Sequence, residues 1–181
     1  MKKFLIVVLA LAAFVAPKTY AQTKIVGGAK MYPTKNIVEN AVNSKDHTTL
    51  VAAVKAAGLV ETLSSAGPFT VFAPTNEAFG KLPAGTVDNL VKPENKATLS
   101  KILTYHVVAG KVTAAQLVAL IKKGNGKATL KTVQGGTLTA SLKGKKVVLT
   151  DEKGGKSTVT IADVMQSNGV IHVVDTVLMP N

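Results

Sequence analysis

Apolar and polar residues recur with a helical period in the first part of the chain and with a strand period in the last third. Leu50, Val51, Val54 and Ala57 stand at three- and four-residue spacing, which puts them on one face of a helix. Further along, short runs rich in Val, Leu and Thr are separated by Gly-containing turns, as in β-hairpins. Helices followed by antiparallel hairpins predict an α+β domain.

The predicted helices have recognisable start and stop signals. Gly58 stands where a left-handed glycine ends a helix, and Thr113 stands where a hydroxyl caps one. Pro74 stops a short aromatic strand at residues 69–73, and Thr75 can cap the helix that follows it. Glu77 lies in the first turn of that helix, where negative charge suits the helix dipole. The other predicted helices cover residues 36–42, 46–57, 86–91, 94–106 and 113–123.

The last third of the chain is predicted to form strands joined by tight turns. Gly135-Gly136, Lys143-Gly144 and Gly154-Gly155 mark those turns. The predicted strands cover residues 127–133, 137–142, 145–150, 157–164 and 170–179.

The final stretch, residues 168–180, has the strongest strand signal. Asn168 and Gly169 tolerate a positive φ and so form a turn, and ten residues dominated by Val and Ile follow. A nearly continuous apolar run is typical of a strand that is buried on both faces, in the middle of a sheet. His172 and Asp175 are the two residues within the run that can titrate, and they are either catalytic or architectural.

The beginning of the chain is predicted to be a secretory signal. Lys2 and Lys3 precede twelve apolar residues at 4–15, and small residues stand at 19 and 21. Twelve residues of helix rise about 18 Å, which is shorter than the hydrocarbon core of about 30 Å. We therefore expect residues 1–21 to be a cleaved signal peptide, 22–33 a flexible leader and 34–180 one domain. The mature chain is expected to have no transmembrane span and to be exported, to the periplasm or outside the cell.

The absence of cysteine excludes several kinds of chemistry. With no Cys, the chain cannot form disulfides, use a thiol nucleophile or hold a metal through thiolates. The stability of the domain must therefore come from packing.

Positive charge is concentrated in one segment. All 22 basic residues are Lys, and residues 111–156 hold ten of them against two acids, a net charge of +8. The remainder of the predicted mature chain has nine Lys and eight acids, a net charge of +1. We take Lys143, Lys145 and Lys146 as candidates for binding an acidic polysaccharide or the lipid headgroups of a membrane surface. The alternative is a solvated face that only keeps the protein in solution.

Specific nucleic-acid binding and catalysis are disfavoured. Arginine, which clamps phosphate and reads guanine, is absent, and no aromatic residue in 111–156 offers a base a stacking platform. His47, His106 and His172 do not have the spacing of a metal site, so no metal or other cofactor is predicted. A hydrolase using one of these His with Asp163 or Asp175 would lack the Gly-x-Ser-x-Gly nucleophile turn. We expect no enzymatic activity.

Three blocks of the sequence, residues 67–79, 103–110 and 168–180, resemble signature blocks of the fasciclin domain family. The first reads Gly-Pro-Phe-Thr-Val-Phe-Ala-Pro-Thr-Asn-Glu-Ala-Phe, and the second contains the pair Tyr105-His106. The third runs from Asn168-Gly169 to Pro180. Ala109 stands where the family usually has proline. The resemblance covers residues 34–180 as a single domain.

The resemblance implies a wedge-shaped β-sandwich core with several helices packed on it, and a secreted adhesion or matrix-interaction module without catalytic activity. In animal members the tyrosine-histidine stretch has been linked to integrin contact, so Tyr105 and His106 become candidates for contact with a cell-surface or matrix protein. The remaining signature residues are expected to be structural, including His172 and Asp175 as hydrogen-bonding groups of the core. The structural set is Thr75, Asn76, Asn168, Gly169, His172 and Asp175. The alternative function is an exported binder of anionic polysaccharide or lipid through the Lys-rich surface.

Overall fold

A computed structural model describes residues 22–181, so the predicted signal peptide at 1–21 lies outside the described residues. The described part of the chain begins with a hairpin of strands β1, Lys24–Val26, and β2, Ala29–Met31. Gly27 and Gly28 form its turn with φ of 56° and 76°. A two-residue hairpin turn of type I′ requires a positive φ at both of its residues. Val26 and Met31 are buried in the core. The structure thus corrects the prediction of a flexible leader at 22–33, because two apolar side chains anchor the segment.

Residues 22–181 contain seven α-helices, of which six lie in the predicted order and one, α3, was not predicted as a helix. Asn36 caps α1 in a capping box with Glu39, and Thr113 caps α7 in the same way with Gln116. Gly58 ends α2 with φ of 73°. The predicted helix at 46–57 is divided into a 3-10 turn, Lys45–His47, and α2. The helices are α1 Ile37–Ala41, α2 Thr48–Ala57, α3 Val60–Ser64, α4 Asn76–Gly80, α5 Thr86–Leu90, α6 Lys96–Tyr105 and α7 Ala114–Lys123.

One large sheet holds the remaining strands. In sheet order these are β4-β3-β9-β8-β7-β6-β5. β3 and β9 are parallel to one another, and the other neighbours are antiparallel. The last strand therefore lies inside the sheet, as its apolar sequence predicts. The bounds are β3 Phe69–Pro74, β4 Val107–Ala109, β5 Lys127–Lys131, β6 Thr137–Lys143, β7 Lys146–Thr150, β8 Lys156–Gln166 and β9 Gly169–Val174.

The sheet curls until it is almost a barrel. The first residues of β8 pair with β7 and the later ones with β9, and β-bulges interrupt the second pairing between Val159 and Val164. A further bridge between Val108 and Thr132 connects the β4 edge to the β5 end of the sheet. One cluster of apolar side chains lies between the sheet and the first six helices, and a second lies inside the curve, covered by α7. The α+β prediction is confirmed, and the expected sandwich layers are two halves of one curled sheet.

The predicted strand at 170–179 is too long. β9 ends at Val174, and side chains bind most of the backbone N–H groups beyond that point. The N–H of Thr176 donates to Oγ of Ser157 at 3.1 Å, and the N–H of Met179 donates to Oδ2 of Asp151 at 2.9 Å. Because these groups are satisfied without a neighbouring strand, the tail at 175–180 leaves the ladder while remaining largely buried.

Candidate functional site

Tyr105 and His106 are buried at the end of α6. Tyr105 is fully buried, and its hydroxyl donates to the backbone carbonyl of Thr137 at 2.6 Å and accepts from the N–H of Glu152 at 3.2 Å. Burial raises the pKa of Tyr105 to about 12. His106 is 3% exposed, so neither side chain forms a surface for a partner. The structure therefore corrects the prediction that these two residues contact a partner directly.

His106 holds the C-terminal tail in place. Its Nδ1–H donates to the carbonyl of Ile102 at 2.9 Å, and its Nε2 accepts from the N–H of Leu178 at 3.0 Å. Burial lowers the pKa of His106 to about 4, so the ring is neutral at physiological pH, as an acceptor nitrogen requires.

His172 is fully buried in β9 and lies on top of Phe72, its register partner in β3, with ring centroids 5.6 Å apart. Its Nδ1 accepts from the N–H of Asp163 at 3.2 Å, and its Nε2–H donates to the carbonyl of Val112 at 2.8 Å. Burial lowers the pKa of His172. Asp163 occupies a left-handed conformation, φ 54°, within the bulge of β8. The ring thus supports that bulge and the segment before α7.

Thr75 and Asn76 follow β3 and have different partners. Oγ1 of Thr75 accepts from the N–H of Ala78 at 3.2 Å, which caps α4. The side chain of Asn76 binds residues at the start of α2 instead of its own helix. Its Oδ1 accepts from the N–H of Thr49 at 3.0 Å, and its Nδ2 donates to the carbonyl of Lys45 at 2.8 Å. It therefore clamps the start of α2 to the corner after β3.

Asn168 and Gly169 contact several segments that are far apart in the sequence. Nδ2 of Asn168 donates to the carbonyls of Leu63 and Ser65, each at 2.8 Å, and its Oδ1 accepts from the N–H of Ile37 at 3.0 Å. Gly169 packs directly against the backbone of Phe69, so that a Cβ at this position would lie 2.1 Å from the Phe69 carbonyl oxygen.

Asp175 binds the beginning of β8. Its Oδ1 accepts from the N–H of Thr158 at 2.8 Å and from Oγ1 of Thr176 at 3.1 Å. Partial desolvation raises the pKa of Asp175, but these hydrogen bonds and the nearby Lys81 outweigh it, so the pKa is lowered overall. The carboxylate is thus engaged with backbone and hydroxyl groups at the end of the sheet.

Lys143, Lys145 and Lys146 are exposed at the tip of the β6–β7 hairpin. Lys143 and Lys146 are directly opposed, and Gly144, with φ of 61°, and Lys145 form the two-residue turn between them. Like charges directly opposed across two strands repel one another. All ten Lys of the segment 111–156 are exposed.

The same register assembles a larger surface on the outer face of β5 to β8. In each strand one set of alternate residues points into the second apolar cluster, and the other set points to solvent. One outward row pairs Thr129, Thr139, Thr150 and Lys156 across the four strands. We call the outward set the threonine–lysine face. It consists of Lys127, Thr129, Lys131, Thr137, Thr139, Ser141, Lys143, Lys146, Thr150, Lys156 and Thr158, and Val148 lies among them but is only 8% exposed.

The hydroxyl residues of the threonine–lysine face were not singled out from the sequence, although their alternation with Lys is visible in it, as in Lys127-x-Thr129-x-Lys131. What the sequence does not show is the register that brings five Lys, five Thr and one Ser onto one surface. Those strand residues include no acid. Glu152 lies at one border, where its carboxylate accepts from the N–H of Thr137 at 2.9 Å.

Neither a metal centre nor a membrane-spanning helix is found in the described part of the chain. Within residues 22–181, no three His, Asp or Glu side chains are grouped closely enough to hold a metal ion. No helix among the same residues is long and apolar enough to cross a membrane.

Comparison with known proteins places this fold and these blocks in one family. The family model described as Fasciclin domain matches residues 45–180. Protein sll1483 of Synechocystis sp. is 51% identical over 163 residues, which covers 90% of this chain and 83% of that protein. Immunogenic protein MPB70 of Mycobacterium bovis is 40% identical over 145 residues, which covers 77% of this chain and 66% of that protein.

Longer proteins contain similar segments. The transforming growth factor-beta-induced protein ig-h3 of Sus scrofa is 38% identical over 148 residues, a segment that makes up 20% of its length. Among solved structures, a FAS1 domain pair from the insect cell adhesion molecule Fasciclin I superposes with a TM-score of 0.70 at 20% identity. The superposition covers 80% of this chain and 51% of that one. At this level of identity it shows a shared fold.

Proposed function

The chain belongs to the fasciclin domain family, and from that premise we propose that it is an exported, non-catalytic interaction module that binds anionic polysaccharide at a cell surface or in a matrix through its threonine–lysine face. One observation carries the proposal. The strand register collects the Lys and hydroxyl side chains of four strands on one exposed surface, and the strands contribute no acid to it.

The chemistry of this face suits an acidic sugar polymer. Ammonium groups attract carboxylate or sulfate groups, and Thr and Ser hydroxyls both donate and accept hydrogen bonds, as the hydroxyls of a sugar do. Binding of an anion is most favourable at the opposed pair Lys143 and Lys146, because an anion placed between the two ammonium groups relieves their mutual repulsion. Lys, rather than Arg, provides all the charge, which favours a diffuse, salt-sensitive interaction over bidentate recognition.

The two His of the signature blocks support a non-catalytic role. His106 and His172 each use both ring nitrogens in hydrogen bonds to the protein, and both rings are buried. A general base needs a free nitrogen within reach of a substrate. Adhesion is then a consequence of the polysaccharide contact, made by the sheet face and not by Tyr105 and His106.

Retention on an anionic polysaccharide tests the proposal. The mature protein is loaded onto immobilised polygalacturonate and eluted with a salt gradient. A triple variant changes Lys131, Lys143 and Lys146 to Glu, and we expect it to lose retention even at low salt. The opposed pair remains a pair of like charges in this variant, so its effect on hairpin stability is small.

The control is a second triple variant in which Lys30, Lys45 and Lys92 become Glu. These Lys are also exposed, lie outside the threonine–lysine face and produce the same change in net charge. We expect this variant to elute close to the wild type. An equal loss of retention in both variants would show that only total charge matters, and the face would then have no specific role.

A further inference from the structure

A narrow apolar cavity lies between the sheet and the first helices. Its volume is about 50 Å³, compared with the roughly 10–15 Å³ that one water molecule needs. α1, α2 and α3, the β1–β2 hairpin, and strands β3, β8 and β9 contribute to its walls. Of the twenty lining residues, all but His47, Lys55 and His106 are apolar. An apolar cavity of this kind stays dry and favours an apolar guest.

The inner end of the cavity has one free polar atom. His47 is 3% exposed, and its Nδ1 is 2.9 Å from Oγ of Ser44. Its Nε2 makes no hydrogen bond of regular geometry, although the Ala73 backbone lies close to the ring, and it is the one such buried side-chain N or O atom found in residues 22–181. Burial lowers the pKa of His47, although the Ala73 backbone and the Asp46 carboxylate oppose this, so the ring is neutral near pH 7. A neutral nitrogen without a partner is costly in an apolar site.

The other end of the cavity opens to solvent beside a positive charge. Val38, Val51 and Val60 line the cavity and are only partly buried, which marks the mouth between α1, α2 and α3. Lys55 lines the same region and is exposed, and it is the one charged lining residue. His47 directly precedes α2 and Lys55 lies in its last turn, eight residues later, so the backbones of these two residues are about 12 Å apart.

We propose that this cavity binds the single unbranched acyl chain of an anionic amphiphile, with the anionic group beside Lys55 and the end of the chain at His47. The narrow volume excludes rings and branched lipids, and the apolar walls favour a hydrocarbon. The positive charge at the mouth selects an anionic headgroup. A hydroxyl at the far end of the chain improves the fit, because it supplies the hydrogen bond that Nε2 of His47 lacks, whichever tautomer the ring adopts.

Calorimetric titration of the mature protein with decanoate, below its micelle concentration, tests the proposal. Decyltrimethylammonium has a chain of the same length and the opposite charge, and we expect it to bind at least about tenfold more weakly. Lys55→Glu reverses this preference. Lys122→Glu is the matched control, because Lys122 is also exposed in the last turn of a ten-residue helix but does not line the cavity, and it leaves decanoate binding unchanged.

Two further variants test the inner end. Val51→Phe fills the cavity from its partly exposed rim and abolishes binding of both amphiphiles, while circular dichroism shows a folded protein. Decanoate with a terminal hydroxyl binds the wild type about fivefold more tightly than decanoate, and His47→Phe removes this difference. Absence of decanoate binding, equal binding of the two charge types, or unchanged binding in folded Val51→Phe would each overturn the proposal.

Discussion

Nε2 of His106 accepts a hydrogen bond from the backbone N–H of Leu178 at 3.0 Å, across 72 positions of sequence. On its other side the ring donates to Ile102 in the same helix. The end of α6 and the C-terminal tail are therefore joined by one neutral imidazole. This bond explains in physical terms why a histidine follows Tyr105, and it gives His106 a structural task in place of the surface contact expected from the sequence.

Replacement of His106 by alanine removes this connection. The variant leaves the buried N–H of Leu178 and the carbonyl of Ile102 without partners and creates a cavity. We expect a loss of about 2 to 4 kcal/mol in the free energy of unfolding, measured by urea denaturation near neutral pH. An unfolding midpoint equal to that of the wild type would contradict the role assigned to this ring.

Acid is expected to destabilise the protein well before its carboxylates titrate. Burial lowers the pKa of His106 to about 4, whereas in the unfolded chain it is about 6.5. Between these values the unfolded state binds more protons than the folded state, so the stability from His106 is complete above about pH 6.5 and is lost as pH falls towards 4. The loss amounts to about 2 to 3 kcal/mol between about pH 7.5 and about pH 4.5.

The variant His106→Gln serves as the control for this pH dependence. Glutamine does not titrate, so the difference in stability between about pH 7.5 and about pH 4.5 should shrink by most of the amount due to His106. His47 and His172 also have lowered pKa values, and their contributions remain in the variant. If the two proteins lose the same stability over this range, the imidazole of His106 is not neutral in the folded state at pH 4.5.

Local patterns in the sequence predicted most of the elements and their order, because caps, turns and periodicity are short-range properties, but β1, β2, β4 and α3 were not among them. Gly58, Thr75 and Thr113 mark helix ends where the structure has them. The interior position of the last strand is visible in its Val and Ile content. The end of that strand is not visible, because it depends on Asp151 and Ser157, which become acceptors only after the chain has folded back.

Long-range register is the part that the sequence does not reveal. Tyr105 and His106 carry polar atoms, which favour an exposed position unless they are hydrogen-bonded. Their hydrogen-bond partners, Thr137 and Leu178, lie far along the chain, and these bonds allow both side chains to be buried. The threonine–lysine face depends in the same way on the pairing of four strands. The cavity between the helices and the sheet is a property of tertiary packing alone.

Glycine at position 169 is required by the parallel pairing of β3 and β9. A Cβ there would lie 2.1 Å from the carbonyl oxygen of Phe69, which is backbone and cannot rotate away. We expect Gly169→Ala to reduce the free energy of unfolding by about 3 kcal/mol or more, because β3 and β9 must move apart. Gly80→Ala is the control. A Cβ at Gly80 meets no atom within 4 Å, and its effect should be within about 0.5 kcal/mol.

The N-terminal hairpin offers a test with neighbouring residues on opposite faces. Val26 is 2% exposed and contributes to the core, whereas Ile25 is 65% exposed. We expect Val26→Ala to lower the free energy of unfolding by about 1 to 3 kcal/mol, through lost burial and an enlarged cavity, and Ile25→Ala to change it by less than about 0.5 kcal/mol. Urea denaturation of the mature protein measures both. Equal small effects would mean that the hairpin is not anchored in solution, and that the segment behaves as the flexible leader expected from its sequence.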